Sequence, residues 1–239
     1  MSKFFIDSVS GEYHRLYNED FYHICKTLRM KKGEKLFLCD KNKIDHECVI
    51  EEYSDKEVFL KIINSKKCIS EPENKVTLLQ GIPKNDKMDL IVQKSVEVGV
   101  FNIVPVFMKR CISRPDEKSL NKKIDRWQKI SKEAAKQSGR GIIPEILPVL
   151  NFLDAVNFST KNNKVIAFYE GQGEKIQNFC SSETKSMSVF VGPEGGFEPF
   201  EIDLIKSVGG RIATLGPRIL RAETAAIVSI AIISYLSEN

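Results

Sequence analysis

Over residues 2–70 the apolar positions come in short, β-branched and aromatic runs separated by polar turns: KFFID, KKGEKLFLCD with Gly33 at a turn, HECVIEEYS and KEVFLKIINS. Runs of this length predict strands. Residues 23–30 carry the spacing of one short helix among them, so the segment reads as a small, β-rich α+β module. The polar, proline-containing stretch SEPENK at 70–75 interrupts the pattern and predicts a linker. Beyond it the period changes. VTLLQGI, FNIVPVF, VIAFYE, MSVFVG and RIATLG predict strands. Between and after them, helices are expected at 87–98, ended by Gly99, at 121–138, closed by Gly139, at 201–208, stopped by Gly209 and Gly210, and at 222–236. In the second of these, Ile124, Trp127, Ile130, Ser131 and Ala134 share one face at helical spacing, while the last is apolar nearly all round, as expected of a helix covered on several sides. Strands alternating with helices predict a mostly parallel α/β sheet. The expected division is therefore a β-rich domain over 1–72 and an α/β domain over 73–239.

Composition narrows the possibilities. Hydrophobic residues at 42% and charged residues at 28% are those of a globular chain. The N-terminal MSKFFIDSVS lacks the basic-then-apolar pattern of a secretion signal, and no apolar run is long enough to span a bilayer, so the expectation is a cytoplasmic protein without a membrane partner. Cys25, Cys39, Cys48, Cys68, Cys111 and Cys180 are scattered without a C-x-x-C pair, which predicts reduced thiols, neither a disulfide framework nor a metal site. His14, His23 and His46 all lie in the first fifth of the chain, so chemistry in the C-terminal part must proceed without imidazole.

Net charge is +4, and its distribution says more than its sum. Residues 1–72 carry thirteen basic and thirteen acidic side chains, leaving the whole excess to the rest. From Met108 to Arg140 there are eleven basic residues against four acidic ones. That density suits phosphate neutralisation. On charge alone a solvated helix face explains it equally well.

Two glycine loops each follow a predicted strand and precede a predicted helix. Gly192-Pro193-Glu194-Gly195-Gly196-Phe197 leaves MSVFV, and its side-chain-free residues let a ligand reach the backbone. Leu215-Gly216-Pro217-Arg218-Ile219-Leu220-Arg221 runs into Ala222-Glu223-Thr224-Ala225, combining apolar side chains with two guanidinium groups, which suits an adenine-like ring and an anionic group. Neither loop is a Walker A or a G-x-G-x-x-G fingerprint, which counts against a phosphate-cradling nucleotide site.

Taken together, GPEGGF and LGPRILRAETA resemble the paired signature of the RsmE-type uridine-N3 methyltransferases of small-subunit ribosomal RNA, members of the SPOUT class. The similarity runs along the whole chain: Lys3-Phe4-Phe5 matches the family's basic-aromatic start, and His23, Leu28, Arg29 and Gly33 its N-terminal module. Lys94, Glu97, Gly99, Val100, Arg110, Ala135, Gln137, Ser138, Arg140 and Pro144 also fit. Lys136, Val98 and Lys109 depart from it, standing where the family has an acidic residue, leucine and glutamate.

The resemblance implies a PUA-like first domain that helps grip RNA, a SPOUT α/β second domain with a trefoil knot, a homodimer, and methyl transfer from S-adenosylmethionine to 16S ribosomal RNA, free or in the assembled small subunit. It places the cofactor against Gly192, Pro193, Glu194, Gly195, Gly196, Leu215, Gly216, Arg218, Ile219, Leu220 and Thr224, with Phe168, Tyr169 and Glu170 completing the wall. RNA is expected along Lys3, Arg15, Arg29, Lys94, Arg110, Arg114 and Arg140. Uracil N3 must lose its proton to be methylated. Arg221 with Arg218 is expected to stabilise the developing anion, Glu223 or water to accept the proton, and structural pairing of the two arginines with Glu194 or Glu223 is the competing role. A non-catalytic RNA-binding assembly protein, or a SPOUT enzyme acting on another RNA nucleotide, are the alternative readings.

Overall fold

A computed structural model describes residues 2–112, 114–170, 173–180 and 184–238. The chain forms two compact units, the first Met1–Glu71 with Ala135–Ile143, the second Pro72–Ala134 with Pro144–Asn239.

In the first unit β1 (Lys3–Phe5), β2 (Tyr13–Tyr17), β3 (Lys35–Cys39), β4 (Ile44–Tyr53) and β5 (Glu57–Lys67) make one sheet in the order β1-β3-β4-β5-β2. Only the β1–β3 pairing is parallel. Its core is the apolar set on the inner face, including Phe4, Leu16, Ile24, Leu36, Leu38, Ile50 and Leu60. Strand β2 has no apolar alternation to announce it, because only Leu16 of YHRLY is buried. The expected helix begins earlier, as α1 (Asn18–Tyr22), and continues as a π-helical turn over His23–Leu28. It stops at Arg29, whose φ of 52° is left-handed.

The division departs from a single cut at residue 72, since residues 135–143 belong to the first unit. The physical reason is a buried polar network. The Lys3 ammonium pairs with Asp45 at 2.8 Å and donates to the carbonyls of Gly139 and Arg140 at 2.8 and 3.2 Å. The Arg140 guanidinium forks onto Glu71, donating to Oε1 at 2.8 Å and Oε2 at 2.9 Å, and the Gly141 N–H donates to the same carboxylate.

The second unit contains β6 (Lys75–Gly81), α2 (Lys87–Glu97), β7 (Asn102–Phe107), most of α3 (Glu117–Ser138), β8 (Glu145–Ile146), β9 (Leu150–Asn151), α4 (Phe152–Ser159), β10 (Lys164–Phe168), β11 (Glu174–Lys175), β12 (Ser186–Val191), α5 (Pro199–Ser207), β13 (Arg211–Thr214) and α6 (Ala222–Glu238). The strand order is β11-β13-β10-β12-β6-β7-β8, with β9 also on β7, and every pairing recorded is parallel. Central strands are buried on both faces, as β6 and β12 show, which is why they read as continuous apolar runs. Leu79, Val104, Val106, Ala167, Phe190, Phe197 and Ile205 lie in the core between sheet and helices. Helix α6 packs against α2, β6 and β12. Helix α4 went unpredicted although it carries an N-cap, the Asn151 side chain accepting from the Asp154 N–H at 2.9 Å.

All six cysteines are free thiols, and burial pushes Cys39 and Cys48 up to about 12. Among the described residues no helix is long and apolar enough to cross a membrane, and no cluster of three metal-ligating side chains occurs.

Candidate active site

The carboxyl ends of β10 and β12 and the loop that follows β13 surround a cavity of about 250 Å³ in the second unit. Its lining includes Phe168 at the end of β10 with Tyr169 and Glu170 after it, Val191 at the end of β12 with Gly192 to Glu194, Gly196 and Phe197 after it, and Ile219 to Ala222 with Ala225 ahead of and within α6. Ligands gather at this end of parallel sheets because the loops there are free to diverge.

The first loop is held by its neighbours on every side. A Cβ on Gly81 would stand 2.6 Å from Pro193 Cδ, so the end of β6 and the loop touch backbone to ring. Buried Gln80 donates from Nε2 to the Gly81 carbonyl at 2.8 Å and to the Gly192 carbonyl at 3.4 Å. Arg110 donates to the Gly195 carbonyl at 2.6 Å and to Glu198 at 3.0 Å. Gly196 closes the turn onto the Pro193 carbonyl with a φ of 70°, a conformation that favours glycine. Phe197 is buried beneath the loop, edge-on to Tyr169 with ring centroids 6.3 Å apart. After it the Glu198–Glu201 capping box starts α5, and the fully buried Glu201 also accepts from the Lys109 N–H at 2.9 Å.

The second loop has fewer ties. The Gly216 N–H donates to Thr214 Oγ1 at 3.1 Å, Gly216 adopts a φ of 107°, and the Ala225 N–H donates to the Arg221 carbonyl as α6 begins. The two loops are linked through Lys87, at the start of α2. Its ammonium lies 3.0 Å from Glu194 Oε1 and 3.3 Å from Glu223 Oε2. Burial would raise the Glu194 carboxyl, but Lys87 and the backbone N–H groups of Glu194 and Lys84 outweigh it and hold the group below the usual glutamate range. Lys87 is correspondingly raised, by its hydrogen bond to Glu194 above all, with burial opposing and Glu223 adding to the rise.

Of the residues expected around the cofactor, Phe168, Tyr169, Glu170, Gly192, Pro193, Glu194, Gly196, Ile219 and Leu220 line this cavity, whereas Gly195, Leu215, Gly216, Arg218 and Thr224 do not. Arg221 lines it too, and Arg218 is exposed outside it. The pairing weighed for these arginines is not what occurs: Glu194 and Glu223 are both engaged by Lys87. Val191, Phe197, Ala222 and Ala225 join the wall unannounced. Lys87 was also missed, although its place after strand VTLLQGI, at the ligand end of the sheet, was a usable signal.

Two of the expected RNA contacts are corrected. Lys3 and Arg140 are 6% and 2% exposed and are committed to the network around Asp45 and Glu71, so neither presents its charge to a phosphate. Arg110 is turned toward Glu198 and Gly195, Lys94 pairs with Glu97 at 2.9 Å, and Arg114 donates to the Met108 carbonyl at 3.3 Å. Arg15 and Arg29 are exposed. The basic run over 108–140 is thus partly internal, since Arg126 pairs with Asp89 and Lys136 with Asp20 as well.

The donor set fits S-adenosylmethionine. Glycine-flanked peptide groups and the apolar walls of Phe168, Val191, Ile219 and Leu220 suit a planar heterocycle, Glu170 suits a cation, and Arg221 suits a carboxylate or an anionic substrate.

The comparisons agree with this geometry. A family model described as an RNA methyltransferase domain matches residues 70–234, and one described as an RNA methyltransferase PUA domain matches 16–63. The ribosomal RNA small subunit methyltransferase E of Bacillus subtilis (strain 168) is 30% identical over 100% of this chain and 98% of its own. That of Mesomycoplasma hyopneumoniae (strain 232) is 34% identical over 95% of this chain and 96% of its own. A crystal structure of the Neisseria gonorrhoeae protein of that name, bound to S-adenosyl methionine, superimposes with a TM-score of 0.87 at 29% identity, covering 99% of this chain and 98% of that one. The first unit is accordingly PUA-like and the second a SPOUT-like α/β domain. Matched over more than half its length by the domain model and end to end by these relatives, the chain belongs to the ribosomal RNA small subunit methyltransferase E family.

Proposed function

We propose that the protein transfers a methyl group from S-adenosylmethionine to N3 of a uridine in 16S ribosomal RNA. The observation that carries the reading is the cavity where the GPEGGF loop and the Ile219–Ala222 segment meet, with Arg221 on its wall. The Neisseria gonorrhoeae relative, bound to S-adenosyl methionine, supports the choice of cofactor.

When bound, the cofactor supplies an electrophilic methyl on a sulfonium. The chain's own residues do the rest. The backbone of Gly192, Pro193, Glu194, Gly196 and Leu220 holds the donor, and the apolar walls exclude water from it. Arg221 stabilises the negative charge that uracil acquires as N3 loses its proton, since a guanidinium stays charged and forks onto two acceptors. Glu223, whose Oε2 lies 3.3 Å from the Lys87 ammonium, or water accepts the proton. Exposed Arg218 contributes long-range positive potential toward RNA rather than contact with the reacting atoms.

The same proposal includes action in the cytoplasm on the free RNA or the assembled small subunit, a homodimer, and a knotted C-terminal path. The strand order supports the last of these: the chain leaves β12, returns beyond β10 to form β13, and then sends α6 back against α2 and β6. The test compares Arg221→Ala with the unaltered protein. Turnover on ribosomal RNA is expected to fall about a hundredfold while cofactor affinity stays within about twofold. Full turnover in the variant removes Arg221 from the mechanism. Absence of 3-methyluridine from ribosomal RNA incubated with the unaltered protein and cofactor removes the proposed reaction.

A further inference from the structure

Strand β2 places Tyr13, Arg15 and Tyr17 on its outward face, alternating with half-buried His14 and buried Leu16. Both tyrosines are 59% exposed, and the Arg15 side chain is 65% exposed. The row continues across the sheet, where Tyr13 faces Lys61, Arg15 faces Phe59 and Tyr17 faces Glu57. The Arg15 guanidinium lies over the Phe59 ring, 4.9 Å from its centroid. Three rings and two cations therefore share a two-stranded face of the first unit.

Among the described residues strand β2 has β5 alone as a strand neighbour, so no strand pairs with its other edge. Beside that edge a cavity of about 680 Å³ is lined by Phe5, His14, Arg15, Tyr17, Lys41 and Gly141, among others. Its cations are loosely engaged. Lys41 pairs with Asp7 where both side chains are largely exposed, and Arg15 stands 3.8 Å from Glu57. Exposed pairs of this kind are worth little in water, so a phosphate can replace either carboxylate at small cost.

We infer that this face is a stacking platform for a single-stranded segment of the RNA substrate, with bases on Tyr13 and Tyr17, phosphates against Arg15 and Lys61, and one splayed nucleotide in the adjoining cavity. Interleaved rings and cations are what single strands need: every base has a π-face to stack, and every step a phosphate to neutralise. A duplex hides its base faces and gains nothing from exposed rings. The inference deepens the RNA-methylation reading and rests on it for the identity of the partner.

The experiment uses the full chain with a labelled single-stranded oligoribonucleotide and an RNA duplex of the same length. Tyr13→Ala with Tyr17→Ala is expected to weaken single-strand binding about tenfold or more, while Tyr13→Phe with Tyr17→Phe, which keeps the rings, stays within about twofold. Arg15→Ala lowers the slope of affinity against salt by about one phosphate contact. An unshifted thermal transition of the first unit reports that each variant is folded, and unchanged affinity for S-adenosylmethionine, whose expected ligands belong to the other unit, reports that the second unit is undisturbed. The platform is overturned if the double alanine variant binds the single strand like the unaltered protein, or loses single strand and duplex alike. If the unaltered protein forms no methylated nucleoside while the double alanine variant still loses oligonucleotide binding selectively, the platform stands and the reaction falls.

Discussion

Lys87 occupies the first position of α2, where the exposed N–H groups of a helix make a cation unwelcome. Two carboxylates reverse that preference, Glu194 from one cofactor loop and Glu223 from the first turn beyond the other. Replacing Lys87 with Met should therefore raise the dissociation constant for S-adenosylmethionine about tenfold by calorimetry, and Lys87→Arg should recover most of it. In a double-mutant cycle, Glu223→Gln should cost less in the Lys87→Met background than alone. Unchanged affinity in Lys87→Met would dismiss the link. Acid should act through the same pair. The Glu194 carboxyl is depressed in the folded protein, so its stabilisation is fully present above the ordinary glutamate value of about 4.3 and disappears as pH falls toward and through the lower folded value. Cofactor affinity should accordingly be level from neutrality to about pH 5 and decline below it, with the decline blunted in Glu194→Gln. Gly192, Gly196 and Arg221, which line the cavity, were legible in the sequence because they sit in two short motifs, which also drew in Gly195 and Gly216 outside it. The position of Lys87 after a strand was a signal, but its role as a link was not legible, because its partners lie more than a hundred residues away. Lys3 and Arg140 misled for the related reason that charge is visible in a sequence and burial is not.

Among the elements, strands β6 and β12 were plain because burial on both faces makes them apolar from end to end. Strand β2 was hidden because it offers the core a single leucine and turns its aromatic residues outward. Where β6 meets the GPEGGF loop, packing is closer than any side chain allows. Gly81→Ala would bring its Cβ to 2.6 Å from Pro193 Cδ and 2.8 Å from Met108 Sδ. Proline's ring is stiff, so the loop must move instead, and isothermal titration should show loss of cofactor binding in a protein that keeps its circular dichroism spectrum. Retained affinity would mean that the loop can shift without disturbing its peptide groups. Nothing in the sequence marked Gly81 apart from the end of a strand.

At the scale of the whole molecule, a parallel α/β body after a β-rich module was readable from the change of period near residue 70. The return of residues 135–143 to the first unit was not, since it depends on carbonyl and carboxylate positions around Lys3 and Arg140. With two cores, thermal unfolding should resolve into more than one transition by calorimetry. Cofactor at a hundredfold its dissociation constant should stabilise the transition of the second unit by about 2.7 kcal/mol. Glu71→Ala should lower the other, removing the forked carboxylate from a guanidinium that is 2% exposed at a cost of about 3–5 kcal/mol. A single transition unaffected by Glu71→Ala would contradict both assignments. The shared segment also bears on how the chain matures at the ribosome. The N-terminal sheet can pair its strands as soon as they emerge, and Lys3 can already meet Asp45, yet Lys3 lacks the Gly139 and Arg140 carbonyls, and Glu71 lacks Arg140 and Gly141, until residues 139–141 have been synthesised. The first module to be translated must therefore wait, incomplete, for part of the second to be made.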